Sequence, residues 1–148
     1  MIEGTVVRPL KRIVDERGYL MEILRVDWPE WMEPEMSYVS TTYPGVIRAW
    51  HRHPLTRQRD TFVVPIGMIK AVVFNPETGE INEHILGEDN PVMLSFNGVM
   101  WHGFKCIGTK PCLLINFPDV IYDYKNPDEE RLPFNSSTIP YDWDIVMK

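Results

Sequence analysis

Apolar residues come along this chain in short runs, separated by polar turns at intervals of about ten residues. The pattern predicts strands at Thr5–Val7, Leu20–Val26, Met36–Thr42, Val46–His51, Thr61–Val64, Met68–Asn75, Ile81–Leu86, Val92–Phe96, Met100–Cys106 and Cys112–Phe117. Turn residues punctuate them: Tyr43-Pro44-Gly45, Pro76-Glu77-Thr78-Gly79, Gly87-Glu88-Asp89-Asn90 and Asn97-Gly98. No stretch of eleven residues keeps a helical period without a Pro or Gly. Asp27–Glu35 and Asp128–Leu132 have room for a turn of helix at most. The expectation is an all-β antiparallel sandwich or barrel.

The last part reads differently. From Pro118 the chain is aromatic and proline-rich, with Tyr122, Tyr124, Pro127, Pro133, Pro140, Tyr141 and Trp143. It is expected to wrap the barrel and close one end. At 148 residues the chain fits a single domain, 1–148. Thirteen prolines exclude a helix bundle. Fifteen Lys and Arg against 21 Asp and Glu leave a formal charge of −6, which argues against nucleic acid as a partner. No apolar run reaches the length of a membrane span, and Met1–Gly18 lacks the apolar core of a signal peptide, so a cytoplasmic protein is expected. Cys106 and Cys112 flank the turn Gly108–Pro111 and are read as reduced, half-buried thiols.

The chemistry concentrates on histidine. On an extended strand residues i and i+2 share a face, so His51 and His53 point the same way, together with Ile47 and Ala49. Met100, His102 and Phe104 share a face in the same manner. Three histidines aimed into one barrel exceed what packing needs. Gly45, five residues, His51, one residue, His53, with Gly67 further on, resembles the first cupin motif; Asp60 stands late for its acidic member. His51, His53, Asp60 and His102 make a chemically reasonable set for a divalent metal.

A second resemblance spans nearly the whole chain. Asp15-Glu16-Arg17-Gly18-Tyr19 with Glu22, then Gly45-Val46-Ile47-Arg48-Ala49-Trp50-His51, then Trp101-His102-Gly103-Phe104, then Ile139-Pro140-Tyr141-Asp142-Trp143 resemble, in order, four motifs of the dTDP-4-dehydrorhamnose 3,5-epimerase family. The resemblance implies a cupin fold, a double-stranded β-helix jelly-roll barrel. It implies a homodimer acting on a nucleotide-linked 4-keto-6-deoxyhexose without a metal cofactor. It makes His51 the base that removes a proton beside the ketone, leaving an enolate that needs a positive or hydrogen-bonding partner. Tyr122 becomes the candidate proton donor. Arg17 and Glu22 match residues that reach the nucleotide, and Arg48, His102, Phe104 and Arg59 are candidates for holding substrate. A strand near Thr5–Val7 has no obvious place in a minimal barrel, which suits pairing between subunits.

Three positions depart from the family. Asp60 falls where the family has Lys, and Ser136 where it has the Asp that orients the base. An anion at position 60 repels an enolate, so Asp60 is expected to pair with an imidazole or with Arg48. Arg48 lies three residues from His51, so a bulge is required for both to face the substrate. His53 is the third departure: Arg48-x-x-His51-x-His53 resembles the related sugar 3,4-ketoisomerases, which place two histidines in the pocket. A metal-dependent cupin enzyme and a non-catalytic sugar-binding cupin remain as alternatives.

Overall fold

The computed structural model describes residues 1–145. Twelve strands follow in chain order: β1 Val6–Pro9, β2 Arg12–Asp15, β3 Gly18–Met21, β4 Tyr38–Thr42, β5 Ile47–Arg52, β6 Arg59–Ile66, β7 Met68–Phe74, β8 Ile81–Gly87, β9 Val92–Asn97, β10 Trp101–Ile107, β11 Cys112–Asn116 and β12 Glu130–Arg131. Two five-stranded antiparallel sheets face each other, ordered β1-β9-β6-β11-β4 and β12-β5-β10-β7-β8. β2 and β3 form a separate hairpin. This is the expected jelly-roll sandwich, with no helix among the described residues.

Alternation decides which side chains meet between the sheets. Phe62, Val64, Leu94 and Phe96 of the first sheet pack on Ile69, Ala71, Val73, Phe104 and Cys106 of the second. Each such side chain gains roughly 1.5–3 kcal/mol from leaving water. Both outer faces are covered too. Val72, Phe74, Trp50 and Trp101 point outward from the second sheet and are buried by Ile139 and Trp143 of the tail. Lys105 Nζ donates to the Trp143 carbonyl at 2.8 Å, and Trp50 Nε1 to that of Phe134 at 3.2 Å. The tail therefore covers a sheet face, where the sequence suggested that it would close one end. On the first sheet, Val63 and Met93 are capped by Met21, Ile23, Leu24 and Trp28.

Several boundaries differ from the sequence pattern. The run Leu20–Val26 is a strand only to Met21, because it folds back on β2 with Asp15 opposite Gly18. β1 pairs with β9 of its own sheet, so the N-terminal strand has a place within the chain. The argument for pairing between subunits loses that support. Glu130–Arg131 hydrogen-bonds to the edge of β5 as a short strand, where a helical turn had been the most expected. Cys106 and Cys112 are free thiols on strands of opposite sheets, and both are fully buried where half-burial was expected.

Candidate active site

β5 and β10 bring the histidines together. His51 lies opposite His102, and Arg48 opposite Phe104. Between these pairs β5 advances three residues while β10 advances two, so β5 carries a bulge. Gly103 makes room for it: a Cβ there would lie 2.3 Å from that of Ala49. The bulge resets the alternation, and Arg48 and His51 line one cavity of about 360 Å³. That volume is in the range of small-molecule sites. Phe62, Phe104 and Leu114 make its apolar wall. Tyr38 and Ser40 reach it from β4, and Glu129 and Arg131 from the segment around β12.

The His51 ring meets His102 edge-on, with centroids 4.1 Å apart. Among the described residues no hydrogen bond ties its nitrogens. Burial, followed by the neighbouring His102, His53 and Arg131, pushes its pKa well below 6.5. Burial also lowers His102, and the charge of Asp60 opposes that shift. Arg48 is held by Thr42 Oγ1 at 3.0 Å and the Thr41 carbonyl at 3.3 Å, leaving the rest of its donors for the cavity.

Behind His51 lies a second group. Asp60 is 2% exposed and His102 1%. Asp60 Oδ1 accepts from Gln58 Nε2 at 2.9 Å and from Asn116 Nδ2 at 2.6 Å. Its Oδ2 points at His102 Nε2, 3.6 Å away, and at His53 Nε2, 3.9 Å away. Asp60 thus faces imidazoles, but those of His53 and His102, not that of His51, and it does not pair with Arg48. His53 does not line the cavity. β5 ends at Arg52, and past it the His53 backbone bonds the Gly98 carbonyl; its ring still turns into the barrel, as expected, but onto Asp60 and His102 beyond the cavity lining. Their rings are 6.1 Å apart. The residues able to hold a metal are His53, Asp60 and His102, whose ligand atoms lie within 4.8 Å of one another; His51 stands outside this set.

Other expected site residues are placed elsewhere. Tyr122 packs on Tyr124 at 5.0 Å, outside the cavity lining. Arg59 leaves β6 on the face opposite Asp60, and binds Ser95 Oγ and the Gly4 carbonyl. Arg17 pairs with Asp15 on the β2–β3 hairpin, and Glu22 with Arg25. Neither reaches this cavity. Ser136 does not line it either.

Four polar cavity residues escaped the sequence reading: Tyr38, Ser40, Glu129 and Arg131. The alternation of Tyr38, Ser40 and Thr42 on one strand face was a usable signal for the first. Asn116 Nδ2 donates to the Tyr38 hydroxyl at 3.0 Å; the residue is 44% exposed, and desolvation of its hydroxyl end raises the pKa of the phenol against that hydrogen bond.

No family model matches the chain. A probable low-salt glycan biosynthesis epimerase of Haloferax volcanii is 48% identical over 149 residues, 97% of this chain and 95% of that protein. A spore coat polysaccharide biosynthesis protein of Bacillus subtilis is 32% identical over 153 residues, the whole of both chains. A dTDP sugar isomerase from Desulfovibrio desulfuricans superposes with a TM-score of 0.87 at 30% identity, over 95% of this chain and 91% of that one. A sugar 3,4-ketoisomerase from Thermoanaerobacterium thermosaccharolyticum shares the fold, with a TM-score of 0.71 at 21% identity over 89% of this chain and 90% of that one.

Proposed function

The chain belongs to the dTDP-4-dehydrorhamnose 3,5-epimerase-like family of cupin sugar epimerases and isomerases, and from that premise we propose that it epimerises a dTDP-linked 4-keto-6-deoxyhexose by proton abstraction next to the ketone. The observation that carries this reading is the bulge in β5, which turns His51 and the Arg48 guanidinium into one cavity. A base beside a fixed cation suits removal of an acidic C–H and growth of charge on the neighbouring oxygen.

In this reading His51 takes the proton from the ring carbon. The electron pair of the C–H bond moves onto the ketone oxygen, where Arg48 and Arg131 offset the charge. Inversion needs a proton delivered from the other ring face. Tyr38 meets that need: it comes from the first sheet, across the cavity from His51 of the second, and its phenol carries its proton at neutral pH. It replaces Tyr122 in that role. His53 faces Asp60 and stands outside the cavity lining, which favours epimerisation over the ketoisomerase reading.

The nucleotide end of the substrate falls to Arg17 and Glu22 of a second copy, so the working unit is a homodimer. We place the enzyme in the cytoplasm, where the buried free thiols of Cys106 and Cys112 stay reduced. No helix is long and apolar enough to cross a membrane. The test is incubation with dTDP-4-keto-6-deoxyglucose in D₂O, followed by NMR. Deuterium at C3 and C5 supports epimerisation. Deuterium at C3 alone converts the assignment to ketoisomerisation, and none at either carbon overturns the reading.

A further inference from the structure

The group behind His51 poses a problem of hydrogen-bond valence. His53 Nδ1 lies 2.5 Å from the Asp128 carbonyl, and His102 Nδ1 lies 2.9 Å from that of Met100. A carbonyl oxygen only accepts, so each Nδ1 carries a hydrogen. In a neutral ring that leaves Nε2 as a bare lone pair. Asp60 Oδ1 is filled by two amide donors, which leaves Oδ2 as a third acceptor. All three acceptors converge. Asp60 Oδ2 and His102 Nε2 are buried without a hydrogen-bond partner among the described residues. Two buried acceptors facing each other at this range are costly unless a positive centre lies between them.

The spacing tells what kind of centre fits. At 3.6 and 3.9 Å the carboxylate is too far from either nitrogen for a hydrogen bond. Two ligands of one tetrahedral zinc ion, each about 2.1 Å from it, are themselves about 3.4 Å apart, close to both carboxylate–imidazole separations; the three ligand atoms together lie within 4.8 Å, so the two imidazoles draw together around an ion. The remote nitrogen of each histidine is held by a carbonyl, the usual outer support of a metal-ligating imidazole. Gly98 keeps the spot clear: a Cβ there would stand 3.1 Å from His53 Cδ2 and 3.4 Å from Asp60 Oδ2. We propose that His53 Nε2, His102 Nε2 and Asp60 Oδ2 bind a divalent first-row transition-metal ion. Two imidazoles and one carboxylate favour zinc or iron(II) over the harder magnesium or calcium. The ion sits one ring behind the base, because His102 touches His51. The site does not depend on the catalytic reading, since it is read by binding alone.

The experiment uses untagged full-length protein, stripped with a chelator and titrated with ZnCl₂ by calorimetry and with CoCl₂ by visible absorption. About one equivalent of each ion is expected, with visible bands typical of low-coordinate cobalt. Asp60→Asn keeps the Oδ1 acceptor and places an amide where Oδ2 points. It is expected to weaken zinc at least about 100-fold, while the metal-free variant melts no lower than the stripped parent. His53→Asn is expected to lose zinc as well and guards against a folding defect in the first variant. His51→Asn is expected to bind zinc like the parent, because His51 is outside the set. Uptake of neither ion overturns the proposal, as does zinc affinity unchanged by Asp60→Asn and His53→Asn. Loss of zinc in His51→Asn overturns the three-ligand assignment.

Discussion

Arg131 lies directly opposite His51 in the ladder between β12 and β5, and both side chains line the same cavity. Opposed residues on neighbouring strands share a face with Cβ atoms about 5 Å apart. A two-residue strand thus sets a guanidinium beside the candidate base. Its other partner is Glu129, which also borders the cavity and bonds Arg131 at 2.8 Å.

The first expectation concerns the base itself. His51→Asn should slow turnover by about 10² to 10⁴, the usual contribution of a positioned base. No hydrogen bond within the described structure holds the His51 ring, so the melting temperature should hold. NMR rates with saturating sugar nucleotide and a thermal melt check both halves. A variant that keeps its rate removes His51 from the chemistry.

The two arginines should separate. Arg48 is anchored by Thr42 and Thr41, so its donors are pre-aimed, and Arg48→Gln should cost about 10² to 10³ in kcat, as loss of a fixed oxyanion donor does. The Arg131 side chain is 75% exposed and shared with Glu129, so Arg131→Gln should cost less. Equal losses, or an Arg48 effect confined to KM, would place Arg48 in ground-state binding instead.

Tyr38→Phe should uncouple two events that the parent enzyme performs together. With His51 intact, the C–H bond still breaks and solvent deuterium still enters from the side of the base. Without the hydroxyl on the facing sheet, inversion should fall by about 10² or more. The readout is the ratio of deuterium incorporation to epimer formed. A ratio equal to that of the parent would return the donor role to another residue.

Much of this arrangement is legible in the sequence, and the reasons differ by element. The alternation along Met100–Cys106 already aimed His102 inward, because period two is the signature of a half-buried strand; His51 also points inward, but across a bulge and not on the face of Ile47 and Ala49, which pack against the outer cluster. β7 is apolar on both faces, at Ile69, Ala71 and Val73 as well as Val72 and Phe74, and that double pattern announces a second cover, here the tail. Parity also shows that Arg59 and Asp60 cannot both face inward. What stayed hidden depends on register. β12 has two residues and no pattern, so Arg131 could be found only from its pairing with β5. The bulge that admits Arg48 was deducible as a need from the three-residue step to His51. That His53 stands beyond the cavity lining was not, since it follows from where β5 stops and the backbone bonds Gly98.

The cysteines give a check on the packing between the sheets. Burial raises the Cys112 thiol, and both sulfurs lie in the core. Thiolate is the reactive form, so native protein should react negligibly with Ellman's reagent at pH 8, and unfolded protein should release two equivalents. Rapid reaction of the folded protein would contradict the sandwich core, and fewer than two equivalents on unfolding would reveal a disulfide.

The last expectation is about assembly. The β2–β3 hairpin pairs Ile13 with Leu20 and Val14 with Tyr19, and these four are 54%, 60%, 71% and 48% exposed. Neighbouring pairs point to opposite faces, so the hairpin shows apolar surface on both sides and is joined to neither five-stranded sheet. A lone two-stranded ribbon is marginal in water. A second copy that buries it solves this, and brings Arg17 at the hairpin turn into the partner's reach. Light scattering should therefore give twice the 17.3 kDa of the chain, and Val14→Asp with Leu20→Asp should give the chain mass alone. Activity should be lost along with the dimer in that variant, as a partner's Arg17 serving the cavity requires. Mixing inactive Arg17→Ala with inactive His51→Asn then becomes decisive. Sites that draw Arg17 from one chain and His51 from the other regain function in half of each mixed dimer, about a quarter of all sites at equal mixing. No recovery, in mixtures shown to exchange subunits, would confine each site to one chain.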